Sequence, residues 1–575
     1  MRKLYRDLKP YRVSIVIVFL LIFLQVIFEL YLPSLMADIV DIGIANADTP
    51  YILRVGALML LMAGLATIFA IVSSFLSART ASGFGRDLRK KLFTKVTGFS
   101  LEEFDKFGTP SLITRSTNDI NQMQQVVTMS LRMMLRAPFM AIGGIIMAVS
   151  KDKKLSIIIV FIMPIIALAM FIIGKKGMPL FKIMQERIDN LNQVLREKLS
   201  GIRVIRAFNR VEYEKKRFDA ASRELSDNAI RVSRIMAAAM PIMMLLLNFT
   251  TIAIIWFGGA RIDSGNMQVG DLMAFIQYVM QIMFSLIMFS MIFIMLPRAS
   301  ASAARINEVL DSTTAIKDPK EPKNVKTNAG SVEFKDVTFS YPGAEEPVLS
   351  NISFKTEPGD VTAIIGGTGS GKSTIINLVP RFYDIDSGSI LLGGVDIRQM
   401  RQSDLRSKIG FVSQRAVLFS GTIRDNLQVG KEDATDDEIM HALKIAQASD
   451  FVLRMEDGLD SIVAQGGTNL SGGQKQRLSI ARALIRRPDL YIFDDSFSAL
   501  DFKTDARLRL ALKEEIEDSS ILIIAQRIST VMDADRIIVL NRGRVVGMGR
   551  HRQLLETCDV YREIASSQLS EEELA

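Results

Sequence analysis

Apolar residues in the first half of the chain come in long unbroken blocks, and in the second half they come in short runs. A helix needs about 20 consecutive apolar residues to cross the hydrocarbon layer. Six blocks approach that length: Val13–Leu35, Val55–Ala78, Leu131–Val149, Leu155–Gly174, Ile235–Phe257 and Leu272–Leu296. The third starts with Arg132 and Arg136, so its apolar part begins near Ala137. Long apolar runs stop near Pro297. From Ser331 onward, short strand-like runs alternate with helical patterns, as in an α/β domain.

The connections between blocks alternate in length. Short ones follow the first, third and fifth blocks (Ala37–Arg54, Ser150–Lys154, Gly258–Asp271). Those after the second and fourth, Arg79–Ser130 and Lys175–Arg234, are long, helical in pattern and heavily charged. Charge runs such as Arg86-Asp87-Leu88-Arg89-Lys90-Lys91 do not lie in lipid, so these helices are expected to continue into water. Their Lys and Arg content places both long connections and both chain ends on the cytoplasmic side. Lys151, Lys153 and Lys154 then fall outside, against that rule. Two stretches in the long connections, Leu101–Thr109 and Glu197–Phe208, read as bends where a helix turns and presents a short segment to a soluble domain. The basic N-terminus runs straight into the first block with no small-residue cleavage site, so a retained span is expected.

Composition narrows the picture. Hydrophobic residues make up 49% of 575 and charged residues still reach 23%, which fits a membrane part joined to a water-soluble part. The expected division is 1–299 membrane domain, 300–330 linker and 331–575 soluble domain. A single cysteine, Cys558, excludes a disulfide framework and a Cys-based zinc site. The net charge of +8 is read as cytoplasmic positive charge beside a membrane, not as a nucleic-acid surface.

The candidate chemistry lies in the second half. Gly366-Gly367-Thr368-Gly369-Ser370-Gly371-Lys372-Ser373 fits the phosphate-loop pattern GxxxxGK[ST], between the apolar run Val361–Ile365 and the helical run from Thr374. Backbone N–H groups of such a loop wrap phosphate oxygens, Lys372 reaches the β- and γ-phosphates, and Ser373 helps hold Mg²⁺. A second strand, Leu490–Phe493, ends in Asp494-Asp495, which puts Asp494 in the metal role. A helix-capping aspartate is the bland account of the same residue. Between them, Asn469-Leu470-Ser471-Gly472-Gly473-Gln474 holds serine and two glycines at a helix start, which is either a cap or another anion site.

Leu470 to Gln474 reads LSGGQ, and with the phosphate loop the chain resembles ABC exporters over nearly its whole length. The resemblance implies a six-helix membrane domain fused to an α/β nucleotide-binding domain, with ATP and Mg²⁺ as cofactors. It implies that Ser471, Gly472, Gly473 and Gln474 serve the nucleotide held by an opposite domain in a head-to-tail dimer. Tyr341 matches the aromatic that stacks on adenine, although a strand tyrosine also fits. Gln414 matches the glutamine at Mg²⁺, and Asp501 the aspartate at the dimer contact. Thr374 joins the phosphate-loop set. The stretches Leu101–Phe107 and Glu197–Phe208 look like the family's coupling segments.

Two positions depart from that pattern. The family usually carries a glutamate after the metal aspartate to polarise the attacking water, and here Asp495 is one methylene shorter. A displacement of about 1 Å costs on the order of 100-fold in rate. A switch histidine is usual where this chain has Gln526, and neither of its two histidines, His441 and His551, stands at that place. Gln465, where members often carry glutamate, is a lesser departure. This combination resembles the degenerate-site half of bacterial heterodimeric multidrug exporters. It implies a partner half-transporter that supplies the glutamate and histidine, and hydrophobic or amphipathic small molecules as cargo.

A lipid or peptide translocator is the nearest rival reading, and an ATP-gated regulatory or channel-like protein a further one. The implied location is the inner (plasma) membrane, multi-pass, with no nucleic-acid partner. Methionines 240, 243, 244, 280, 283, 288, 291 and 295 in the last two spans suit either a promiscuous pocket or ordinary packing. Glu29, deep in the first span, suits cation recognition, an ion pair or exposure to an outer aqueous cavity. Glu571–Glu573 reads as a solvated tail.

Overall fold

The computed structural model describes residues 2–323, 330–515 and 519–569; the acidic tail lies outside them. The chain forms two compact units. One holds residues 1–97 and 110–312, the other 98–109 and 313–575.

The first unit is helical. Its main elements are α1 (Arg12–Asp38), α2 (Thr49–Thr97), α4 (Leu135–Lys151), α5 (Ile157–Ser200), α6 (Ile202–Ala207), α7 (Val211–Asp263) and α8 (Val269–Asp311), while α3 (Leu101–Phe107) belongs to the second unit. Among the described residues, six helices are long and apolar enough to cross a membrane. Large apolar side chains such as Leu60, Phe161 and Trp256 stand on their outer surface, as lipid-facing helices require. As expected, α2, α5 and α7 extend far beyond an apolar span.

Packing within this unit pairs α1 with α2, α4 with α8, and α5 with α7. Small residues let α4 approach its neighbours. A Cβ on Gly143 would stand 2.3 Å from Leu30 Cδ1, and one on Gly144 2.8 Å from Ile282 Cγ1. The lysines expected to break the charge rule are partly accounted for, because Lys151 pairs with Asp271 at 2.7 Å. Asp152, almost fully buried, takes the Arg261 guanidinium at 2.8 Å. Asp119 accepts from Ser302 Oγ at 2.9 Å and pairs with Arg305. The bends fall where expected: α3 is a separate short helix, and Gly201 divides α5 from α6.

One boundary needs correction. The expected linker at 300–330 begins as helix, because α8 continues to Asp311. Ala299, Ala303, Ile306 and Val309 recur at helical spacing and are fully buried, so an apolar stripe carries the helix past the last apolar block. The unit boundary falls after Ser312, and residues 98–109 cluster with the second unit.

The second unit contains β1 (Val332–Phe339), β2 (Leu349–Thr356), β3 (Val361–Gly366), β4 (Ser387–Leu392), β5 (Val395–Asp396), β6 (Ile409–Val412), β7 (Gly421–Thr422), β8 (Ile462–Val463), β9 (Leu490–Asp494), β10 (Ser520–Ile524), β11 (Arg536–Asn541) and β12 (Arg544–Gly549). The main sheet runs β12-β11-β3-β10-β9-β6; all of its pairs are parallel except β11 with β12. A smaller antiparallel sheet runs β2-β1-β4-β5, and β7 pairs with β8. Both faces of the parallel strands are covered, so β3 and β10 are buried along almost their whole length and are mostly apolar. Helix α3 is fixed in this unit by a capping box in which the Ser100 N–H donates to Glu103 Oε2 at 2.7 Å. Glu103 Oε1 also accepts from the Ala315 N–H at 2.8 Å.

Candidate functional site

Register brings the candidate residues to one edge of the main sheet. Ile524 aligns with both Ile364 and Asp494, and Val412 aligns with Phe493, so β3, β10, β9 and β6 end together. The phosphate loop, Gln526, Asp494-Asp495 and Gln414 all follow those ends, the usual place for a ligand in an open α/β sheet.

The loop leads from β3 into α9 (Lys372–Leu378). Gly371 has φ +99°, which a side chain would strain, and a Cβ there would meet Leu349 Cδ2 at 2.6 Å. Gly367 and Gly369 are open on their Cα side. Lys372 is almost fully buried and donates from Nζ to the Gly366 and Gly367 carbonyls, each at 2.8 Å. Burial pushes its ammonium pKa down, while Asp495 and Asp494 pull it back up. Ser370 Oγ is buried without a hydrogen-bond partner among the described residues. An open glycine cradle, a buried cation and an unpaired hydroxyl at one helix start fit a bound phosphate group.

The two carboxylates lie beside the lysine. Burial raises the Asp494 pKa, and Asp495 raises it further, against hydrogen bonds from Ser373 and the Gln414 backbone. Burial also raises the Asp495 pKa, against bonds from Gln414 and Ser498. Gln414 Nε2 donates to Asp495 Oδ2 at 3.3 Å. Asp495 has φ +43°, held by its N–H on the Ile524 carbonyl at 2.8 Å. The donor set of Ser373, Gln414 and Asp494 is all oxygen or amide and carries a carboxylate, which suits a hard divalent cation such as Mg²⁺.

Tyr341 lies half-buried, its hydroxyl 3.2 Å from Thr374 Oγ1. Its ring meets those of Phe339 and Tyr383 edge-on at 5.0 and 5.3 Å between centroids. Gln526 is exposed, and its carbonyl accepts from Gln568 Nε2 at 2.8 Å.

Ser471 caps α10 (Gly472–Leu484) in a capping box. Gln474 N donates to Ser471 Oγ at 3.3 Å and Ser471 N to Gln474 Oε1 at 2.8 Å. Gly472 faces open space, and a Cβ on Gly473 would lie 3.3 Å from the Ala499 carbonyl. Asp501 Oδ1 accepts from the Thr504 N–H at 3.0 Å and caps the following helix. Among the described residues no hydrogen bond joins Ser471–Gln474 to Lys372, Asp494 or Asp495.

Three positioning residues escaped the sequence reading. Gln476, buried in α10, donates to the Ser413 carbonyl at 3.3 Å, next to Gln414. Its only signal was a polar residue on the apolar face of a helix. Gln568 follows α11 (Asp559–Ser566) and holds the loop after β10 at two points, the Gln526 carbonyl and the Ile528 N–H at 2.9 Å. Tyr383 donates to Asp105 of α3. Neither of the last two gives a local signal, because each partner is far away in sequence. In the first unit, Glu29 forms an ion pair with Arg136, whose Nη2 lies 2.8 and 3.0 Å from its two oxygens. Met243 and Met283 are buried in the packing, Met240 and Met244 are exposed, and the Met291 side chain lies outside the described residues.

Residues 15–286 match the ABC transporter transmembrane region and residues 349–498 the ABC transporter family. An uncharacterized ABC transporter ATP-binding protein of Mycobacterium tuberculosis is 45% identical over 569 residues, covering 98% of this chain and 97% of the relative. An ATP-dependent lipid A-core flippase of Chromobacterium violaceum is 31% identical over 545 residues, covering 94% and 92%. The structure of a bacterial Atm1-family ABC exporter with ATP bound superposes with a TM-score of 0.81 at 25% identity, covering 97% of this chain and 99% of that one. With six apolar helices joined to a phosphate-loop domain, the chain belongs to the ABC transporter family as a half-transporter of the exporter type.

Proposed function

We propose that this chain is the degenerate-site half of a heterodimeric exporter, with its ATP-binding domain and both termini in the cytoplasm. Lys372 and the loop Gly366–Thr374 would grip the phosphates, Tyr341 would carry the adenine, and Ser373, Gln414 and Asp494 would hold Mg²⁺. Bound Mg-ATP supplies the energy that clamps two nucleotide-binding domains together. Ser471–Gln474 would complete the competent site on a partner that carries glutamate and histidine. Segments α3 and α6 would pass that closure to the helices.

The observation that carries this reading is the pair Asp494 and Asp495. The second carboxyl stands one methylene short of the usual glutamate and is engaged by Gln414 at 3.3 Å. A group that must orient water within a fraction of an ångström loses most of its effect from such a shift. A glutamine at 526 can donate a hydrogen bond but carries no imidazolium charge. The expected result is strong ATP binding with little ATPase activity by the purified chain. Brisk turnover by a verified homodimer would overturn the reading.

Hydrophobic or amphipathic small molecules are the proposed cargo. A lipid translocator is the second reading, favoured by the likeness to the lipid A-core flippase. Uptake into inverted vesicles of a hydrophobic cationic dye, set against flipping of a labelled phospholipid, separates the two.

A further inference from the structure

Within the membrane helices, α1, α4 and α8 line a half-open cavity of about 400 Å³ whose wall includes Glu29, Arg136, Gln277, Gln281, Phe284 and Met288. Glu29 also borders a second cavity, of about 540 Å³, against α2. The polar part of the wall is built and only partly satisfied. Arg136 bonds Glu29 through Nη2 alone among the described residues, and its side chain stays 37% exposed at the cavity wall, which leaves donor capacity on the guanidinium. Glu29 is also held by Gln25 Nε2 at 2.9 Å. Gln281 Oε1 is buried and has no hydrogen-bond partner among the described residues. An unpaired acceptor at membrane depth is costly and marks a place where a ligand donor is worth more than in water.

We infer that this cavity binds an amphiphile whose head is zwitterionic, with an acceptor for Arg136 and a donor for Gln281; the inference rests on the exporter reading and names the cargo class at that site. The charges decide the class. Glu29 and Arg136 sum to zero, so a purely cationic head gains from one and is repelled by the other, and the same holds for a purely anionic head. A head carrying both signs adds no net charge: its anion meets Arg136, its ammonium donates to Gln281, and no charge is left unmatched in a medium of low dielectric. Phe284 and Met288 supply the apolar wall that a chain needs, with flexible methionine adapting to its shape. Expectation of a simple cation site at Glu29 is thereby replaced, since its charge is already matched.

The test uses the full-length protein in detergent, with native mass spectrometry of three single-chain amphiphiles of equal chain length. These are lysophosphatidylethanolamine (zwitterionic), lysophosphatidylglycerol (anionic) and an alkyltrimethylammonium (cationic). The zwitterion is expected to bind about tenfold tighter than either of the others. Glu29→Gln and Arg136→Gln should each remove that preference, and Gln281→Ala should weaken the zwitterion about fivefold with little effect on the other two. The exchanged pair, E29R with R136E, should recover most of the preference, which separates loss of the site from loss of the fold. Equal binding of all three, or a preference untouched by Gln281→Ala and Glu29→Gln, overturns the inference. Free phosphoethanolamine is the second arm. Measurable binding assigns the head alone as sufficient, binding only of the amphiphile assigns a lipid-type ligand, and both support the site. These measurements need neither ATP nor a partner, so absent transport with the preference intact counts against the exporter reading alone, and transport without the preference counts against the site alone.

Discussion

The Tyr383 hydroxyl donates to the Asp105 carboxylate over 2.7 Å, and the ring of Tyr383 stands edge-on to Tyr341 at 5.3 Å. One tyrosine thus touches both the proposed adenine platform and helix α3. Burial, with Asp105 behind it, pushes the Tyr383 pKa up, so the phenol stays a donor at any physiological pH.

Tyr383→Phe keeps the ring and removes the bond. A hydrogen bond to a charged acceptor contributes about 1.5–3 kcal/mol when buried and less when, as at Asp105, the acceptor is exposed. The expected outcome is hydrogen exchange of the Leu101–Phe107 amides faster by about tenfold, with ATP affinity changed by less than about threefold. Unchanged exchange would show that the capping box alone holds α3.

Glu103 gives α3 a pH dependence. Burial alone would raise its pKa, but the hydrogen bonds from Ser100 and Ala315 outweigh burial and hold it below the ordinary carboxylate range. A carboxylate depressed in the folded state stabilises fully above its unfolded pKa, about 4.3, and loses that contribution as pH falls toward the folded value. Wild type should therefore melt above Glu103→Gln at pH 7, and the gap should narrow as pH falls below the unfolded pKa of about 4.3. A gap independent of pH would mean that geometry, not charge, holds the residue.

Asp495→Glu restores the missing methylene. Its purified homodimer should hydrolyse ATP at least about tenfold faster than wild type, and adding Gln526→His should raise the rate again. No gain from the double variant would place the defect elsewhere in the site. The assay is phosphate release, with ATP binding measured in parallel.

Gly144 is where α4 meets α8 closely. Gly144→Val would drive a side chain into Ile282, at 2.8 Å from the nearest carbon even for its Cβ, and overpacking of this kind costs about 1–3 kcal/mol. A lower melting temperature is expected, with partial recovery when Ile282→Ala is added. No drop would show that the helices separate freely there.

Much of this architecture was legible because its signals are local. An apolar block long enough to span shows itself without any neighbour, and so does a glycine loop between a strand and a helix. The helix break at Gly201 and the α3 segment were legible for the same reason. What escaped depends on distant pairs. Glu29 alone suits a cation site, and only Arg136, more than a hundred positions on, makes it an ion pair. Gln568 is an ordinary polar residue until folding puts its amide on Ile528. The linker was set too early because hydropathy ends near Pro297, whereas the small apolar stripe from Ala299 to Val309 continues the helix on burial alone. Ser471 and Gln474 were read as a ligand surface, and in this chain they also bond to each other.

The bond from Gln476 to the Ser413 carbonyl gives the protein a lever. Its long arm, α10, starts at Ser471 and the two glycines after it, and its short arm ends one residue from Gln414. A displacement of the far end is thereby transmitted to the loop that carries Gln414. One amide, buried in the helix, joins two loops more than fifty residues apart in the chain.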